Sequence, residues 1–262
     1  MRKQRKLAVL LFLALLIAVP AGVLRSHYVV PILMYHSVSP QATKANRLSV
    51  SAGSFERQMR FLKTHNYNVL PLEEVARLIA AKKKIPPRTV AITFDDGYRD
   101  NYDWAFPVLK KYNLPATIFV IVDEVGRPQQ DRVSWEELRQ MQDSGVFRVG
   151  SHCMGPEPLV KISSSDEVRR QIFASRAALE ERLGKKVLAF SYPEGRFNED
   201  IRRLVIDAGY RVAVATNPGR QYPGDDIFAL KRLRISHTSD NLFVFWIEAS
   251  GYYTFMKERR HK

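Results

Sequence analysis

Two hydrophobic periods alternate along the chain. Short runs of apolar and β-branched residues recur at Ile32–Tyr35, Tyr67–Leu70, Arg88–Phe94, Ala116–Val122, Val146–Gly150, Val187–Ser191, Tyr210–Ala215 and Leu230–Ser236. Each reads as a strand. Between them the apolar positions repeat at helical spacing. Phe55, Met59 and Leu62 fall at i, i+4, i+7 behind a cap at Ser54. Leu72–Lys83 forms a second such stretch, ended by Pro86-Pro87, and Asp100–Lys111 a third. Ser134-Trp-Glu-Glu137 is a capping box that opens a helix ending at Gly145. A long amphipathic helix is predicted over Ser163–Leu183, capped at Ser165 and closed by Gly184. Another runs over Asn198–Ala208 with Ile201, Leu204, Val205 and Ala208 on one face. The aromatic tail from Asn241 predicts a last helix. This alternation argues for a parallel sheet with right-handed crossovers, an α/β fold. Seven or eight strands in a domain of this size suit a barrel better than an open sheet.

The N-terminus departs from this pattern. Met-Arg-Lys-Gln-Arg-Lys precedes Leu7–Leu24, a run without charge. A basic end before an apolar run is an export signal or a short membrane anchor. The expected organisation is therefore a signal or anchor over residues 1–28, one barrel domain over 29–240, and an aromatic and basic tail over 241–262. The rest of the domain then lies outside the cytoplasm. Apolar residues make up 45% of the 262, enough for one sizeable core and too many for a disordered chain. The single cysteine, Cys153, excludes an intramolecular disulfide and reads as a buried structural thiol. The formal charge of +14 is spread along the chain, with a cluster at Lys257–Lys262. It suits anionic headgroups or an anionic envelope polymer, while the location and the lack of an aromatic-basic motif argue against nucleic acid. The oligomeric state is not encoded in any pattern of this kind.

The chemistry gathers after the strands. Asp95 and Asp96 end the Arg88–Phe94 strand and are followed by Gly97, which permits the bend needed for both carboxylates to converge. Such a pair is a metal site, an acid/base pair, or a solvated turn. His36, His152, Tyr192 and His237 also follow strands. In an α/β barrel that face builds active sites, which favours a functional pair. A two-carboxylate glycosidase is disfavoured, because adjacent residues rarely span the ~5 Å or more that a sugar requires.

Thr93-Phe-Asp-Asp-Gly97, Gly150-Ser-His152 and Phe190-Ser-Tyr-Pro-Glu-Gly195, in this order, resemble the motifs of the polysaccharide deacetylases, carbohydrate esterase family 4 with its NodB-homology domain. Pro31-Ile-Leu-Met-Tyr-His36, Ser134-Trp-Glu-Glu-Leu138 and Leu230-Lys-Arg232 resemble the exported branch that acts on N-acetylglucosamine polymers. The resemblance spans residues 29 to about 240. It implies a deformed (β/α) barrel and metal-dependent removal of N-acetyl groups from a glycan. Carried onto this chain, Asp95 is the general base, and Asp96 and His152 are ligands of a divalent metal, zinc in the first instance. His237 is the histidine that protonates the leaving amine, and a backbone N–H of the Tyr192–Gly195 loop holds the oxyanion. The family's second motif carries two histidines four residues apart, but here the second position is Pro156, which has no donor atom. Glu157 or His36 replaces it as the third ligand, or the site binds metal poorly and the barrel serves as a glycan-binding or scaffold module. Many members carry Arg where Ser191 stands and Tyr where Glu194 stands. Arg232 is then a candidate to orient Asp95 or a surface residue, and Glu194 a candidate for binding a cationic sugar or a solvated loop acid.

Overall fold

The structure, a computed structural model, describes residues 28–127, 131–216 and 226–254. The expected signal or anchor over 1–28 and the basic cluster at 257–262 lie outside the described residues, apart from Tyr28. Among the described residues no helix is long and apolar enough to cross a membrane.

The strands are β1 (Ile32–Tyr35), β2 (Ser37–Val38), β3 (Ser49–Val50), β4 (Asn68–Val69), β5 (Thr89–Phe94), β6 (Ala116–Val120), β7 (Phe147–Ser151), β8 (Ala189–Ser191), β9 (Val212–Ala215), β10 (Leu230–Lys231) and β11 (Leu233–Arg234). The helices are α1 (Ala52–Thr64), α2 (Leu72–Ala80), α3 (Phe106–Tyr112), α4 (Trp135–Asp143), α5 (Ser165–Leu183), α6 (Glu199–Asp207) and α7 (Leu242–Glu248). The main sheet runs β10-β9-β8-β7-β6-β5-β1-β11, all parallel, with β4 added beside β5. Leu230 in β10 pairs with Val214, while Leu233 in β11 pairs with Leu33. One stretch of chain thus joins both edges and closes the sheet into the expected barrel. The single strand predicted over Leu230–Ser236 is in fact broken at Arg232. The chain must leave one edge and meet the other, and the break occurs where it changes partners.

The parallel strands read as continuous apolar runs because both of their faces are covered. Along β5 the faces alternate. Val90, Ile92 and Phe94 join the layer under the helices, where Phe94 stacks on Tyr35 at 5.4 Å and contacts Phe147 at 5.5 Å. Ala91 faces the other way, with Phe119, Ala189, Val212, Val214 and Leu230, above Leu72, Val75 and Ala76 of α2. This second cluster fills the barrel. The same period sends Asp95, two pairs of residues beyond Ala91, to the interior side.

Two caps differ from expectation by a few residues. Ser51 caps α1, with extended backbone and its side chain accepting from the Ser54 N–H, so Ser54 lies inside the helix. Ser164 rather than Ser165 caps α5 in the same way. Neighbouring serines offer equivalent oxygens, and only the residue with extended φ/ψ can place its oxygen on the free N–H groups. Helix α2 ends at Ala80, before the prolines, and Lys82 takes a left-handed φ of 50°. The Ser134–Glu137 capping box and the Gly184 closure form as read.

Phe94→Ala removes a fully buried ring from the aromatic layer and should lower the unfolding free energy by about 3–5 kcal/mol. Urea denaturation followed by fluorescence measures this, and a loss below about 1 kcal/mol would contradict the packing described.

Candidate functional site

The site lies at the C-terminal ends of the strands. His36 follows β1, Asp95 and Asp96 follow β5, His152 follows β7, and Tyr192 follows β8. All five, with Glu194, line one cavity of ≈ 340 Å³. Asp96 itself adopts a left-handed φ of 69°, and Gly97 follows at 67°. The bend is therefore shared, where the glycine alone was expected to supply it. Asp tolerates this region better than most residues. A Cβ on Gly97 would meet Val120 Cγ1 at 2.9 Å, so glycine is required there on two counts. The double bend turns Asp96 into the cavity beside Asp95.

Asp95 is nearly fully buried and Arg232 meets it with both arms. Arg232 Nη1 donates to Oδ1 at 2.6 Å and Nη2 to Oδ2 at 2.5 Å. The Arg232 side chain is 0% exposed, which excludes the surface reading. Nη2 also donates to Ser191 Oγ at 3.0 Å, and Nη1 to Thr93 Oγ1 at 3.3 Å. The small Ser191 leaves room for this guanidinium, which reaches Asp95 from the last strand. Burial pushes the Asp95 carboxyl up. The Arg232 charge, His152 and the hydrogen bonds from Arg232 outweigh it and lower its pKa to about 2. Asp95 is thus ionised throughout the physiological range.

His152 is buried, and its Nδ1 lies 2.7 Å from the Ser191 carbonyl oxygen. A carbonyl can only accept, so Nδ1 carries a hydrogen, and whenever the ring is neutral its lone pair is on Nε2. That lone pair faces Asp96 Oδ1 at 3.5 Å and Asp95 Oδ2 at 4.0 Å. Three acceptors facing one another require a cation between them, either a proton or a metal. Two ligand atoms each ~2.1 Å from a tetrahedral ion are separated by ~3.4 Å, so Asp96 and His152 are spaced for one, and the carbonyl behind His152 is the usual outer partner of a metal-bound imidazole. Among the described residues, however, no three His, Cys, Asp or Glu side chains are arranged to hold an ion.

The remaining expected residues separate. Glu157 is exposed and does not line the cavity, while Pro156 does. Both lie within the bend that follows Cys153, whose φ is 71°. Cys153 is wholly buried and burial pushes its thiol well up, in keeping with a structural role. His237 is not in the cavity lining. It begins a turn, His237–Asp240, that follows β11 after the chain has bonded to β1 through Ile235 N–H and Met34 O at 2.9 Å. His36 does line the cavity, and its Nδ1 is buried without a hydrogen-bond partner. Burial lowers the His36 pKa, and the Asp95 and Asp96 charges oppose that shift. Tyr192 is buried, stacks on Phe197 at 4.2 Å, and donates its hydroxyl to the Phe228 carbonyl at 3.0 Å. Glu194 sits half-exposed at the rim with a left-handed φ of 55°, its carboxylate near Lys161 at 3.7 Å and Arg196 at 3.4 Å. Next to it, a Cβ on Gly195 would lie 2.5 Å from the Thr216 nitrogen, so the loop closes only around glycine.

The cavity also has walls that sequence reasoning missed. Glu124 and Arg132 form a largely buried pair at 2.6 Å, and the guanidinium lies over the Tyr98 ring at 4.1 Å. Thr216 and Arg234 complete the opposite side. None of these follows a motif. Thr216 directly follows β9 and Arg234 lies in β11, and for these two only that position could have pointed to them.

Comparison with known proteins shows the family of the chain. The family described as polysaccharide deacetylase matches residues 82–213. YxkH of Bacillus subtilis is 33% identical over 220 residues, covering 84% of this chain and 76% of that protein. The poly-beta-1,6-N-acetyl-D-glucosamine N-deacetylase of Staphylococcus aureus (strain MRSA252) is 27% identical over 284 residues, covering 93% of this chain and 97% of that protein. The structure of the Streptococcus pyogenes deacetylase PplD in complex with acetate superposes with a TM-score of 0.74 at 27% identity, over 83% of this chain and 97% of that one.

Removing one partner of a buried ion pair costs about 3–5 kcal/mol, and Arg232→Met should lose that much at neutral pH. The native Asp95 pKa is depressed, so its contribution is fully present above the ordinary carboxylate pKa of ~3.9 and is lost as pH falls toward about 2. The stability gap between wild type and Arg232→Met should narrow over that interval in urea titrations at stepped pH. A gap that stays constant down to pH ~2 would contradict this coupling.

Proposed function

The chain belongs to the polysaccharide deacetylase family, and on that premise we propose that it hydrolyses N-acetyl groups on an N-acetylglucosamine polymer of the cell envelope or its surroundings. The observation that carries this reading is an ionised, buried Asp95 sharing one cavity with His36, Asp96 and the bare Nε2 face of His152. The glycan class rests on the Staphylococcus aureus relative, whose name specifies poly-beta-1,6-N-acetyl-D-glucosamine. The envelope location rests on that relative and on the apolar run Leu7–Leu24, read as a signal or anchor.

Amide hydrolysis needs a base for the attacking water, stabilisation of the oxyanion, and an acid for the leaving amine. Asp95 is the base. Arg232 fixes both its oxygens, and their second lone pairs remain to take the proton. The oxyanion falls to the Tyr192–Gly195 loop. The Tyr192 N–H bonds to the Val214 carbonyl and the Gly195 N–H to the Tyr192 carbonyl, and Pro193 has none, so the Glu194 N–H is the loop's donor. His36 takes the role first assigned to His237 and protonates the amine, because its ring lines the cavity beside the two carboxylates, and burial lowers its pKa, which makes its protonated form the stronger acid. Asp96 and His152 would hold a divalent metal, zinc in the first instance, which when bound polarises the acetyl carbonyl and lowers the pKa of water. Pro156 in the cavity wall supports a second reading, a barrel that binds glycan without turnover.

Metal content and acetate release together decide between the two. Purified full-length protein should carry stoichiometric zinc, nickel or cobalt and release acetate from an N-acetylglucosamine oligomer. Asp96→Ala and His152→Ala should lose the metal and at least about 100-fold in rate. Glu157→Ala should keep both, given its exposure. A metal-free wild type that binds the oligomer and releases no acetate would overturn the enzymatic reading in favour of the second.

A further inference from the structure

His36 is placed by side chains rather than by the sheet. The ladder between β1 and β5 ends where Asp95 N–H donates to the Tyr35 carbonyl at 3.0 Å. Beyond that bond the chain turns away, and Ser37–Val38 pairs with Ser49–Val50 in a separate small sheet. What ties the His36–Val38 segment back to the catalytic strand is the pair Asp100–Asn101. Asn101 is fully buried, and its Nδ2 donates to the His36 carbonyl at 2.7 Å and to Asp100 Oδ1 at 2.9 Å. Asp100 Oδ1 also accepts the Val38 N–H at 3.1 Å, and Oδ2 accepts the Ser37 hydroxyl at 2.5 Å. All three residues of the segment are therefore held by two adjacent side chains.

Those side chains sit a few residues beyond Asp96, at the start of the helix that follows the bend. This first turn, Asn101–Ala105, is π-helical, and α3 follows it directly. π turns are rare and recur at functional sites, because the extra residue re-aims side chains that a regular turn would place elsewhere. Here the widened turn accompanies an amide directed back to the end of the neighbouring strand β1. One rigid unit thus carries the carboxylates at one end and the anchor of His36 at the other.

From this we infer that Asn101, with Asp100, is a positioning residue of the reaction: it sets the location of the His36 ring relative to Asp95 and Asp96. The role of His36 rests on the function proposed above, while its placement by Asn101 does not. Displacing a reacting group by about an ångström can cost on the order of 100-fold in rate, so the loss should appear in kcat and not in binding.

The test uses full-length protein with 15N-labelled histidine rings. The His36 signal is assigned by its disappearance in His36→Ala, and His65, on the outside of the barrel, serves as an internal reference. Asn101→Ala should move or broaden the His36 signal, leave that of His65 in place, lower kcat by roughly 10–100-fold and leave KM within about 3-fold. In a His36→Ala background the same substitution should cost nothing further, which a merely structural role would not reproduce. Ser37→Ala and Asp100→Asn remove single bonds of the network, should act in the same direction more weakly, and carry the test if Asn101→Ala does not fold. An unmoved His36 signal in all three variants, or an equal loss of kcat with and without His36, overturns the inference. Full activity of His36→Ala would instead overturn the proton-donor role alone, since the ring signal still reports the placement.

Discussion

The buried pair of Asp95 and Arg232 is the interaction on which both the fold and the site depend. Arg232 stands at the break between β10 and β11, the point where the last strand passes from β9 to β1 and closes the barrel. Asp95 stands at the end of β5, beside β1. An unpaired charge at either place would be costly to bury, so each of the two favours the closed barrel only in the presence of the other. The bidentate geometry, with Ser191 and Thr93 satisfying further donors, fixes the carboxylate within the site while keeping it ionised.

Around that fixed charge each other group has a backbone reason for its place. His152 is oriented by a carbonyl of the neighbouring strand, which decides its tautomer and leaves Nε2 to the cavity. Asp96 is delivered by a left-handed residue that most side chains would resist. His36 hangs beyond the end of the ladder and is held by the helix following the Asp-Asp turn. The site is thus a set of strand ends whose relative positions are locked by one ion pair, one carbonyl and one amide-carboxylate couple.

Much of this was legible in the sequence. The alternation of strand and helix, the capping box at Ser134 and the Gly184 closure are local, and local rules suffice for them. Asp95, Asp96 and His152 each follow an apolar run, motif resemblance singled them out as candidates, and the structure places all three in one cavity. The failures share a cause. Ser51 and Ser54 offer the same oxygen, and the choice depends on backbone angles set by what precedes them. Arg232 gave no sign of its burial, since an arginine near a strand end looks the same in the core and at the surface. Glu157 and His237 had suitable chemistry at a suitable distance along the chain, yet a bend after Cys153 and a bond from Ile235 to β1 carry them away from the cavity.

Hydrophobic period and strand count by themselves pointed to the barrel class and to the face where the candidate residues gather, and the resemblance of three motifs to the deacetylases pointed to Asp95, Asp96 and His152. Period and strand count do so because periodicity reports which side of an element is buried, and the ends of parallel strands gather at one face whatever lies between them. Only the tertiary structure decided which residue pairs with Asp95, which histidine completes the cavity, and that the closing strand must break to join two edges. Those outcomes depend on contacts between residues distant in the chain, more than a hundred positions apart for Asp95 with Arg232, and no local pattern records which distant side chain will fill a given space.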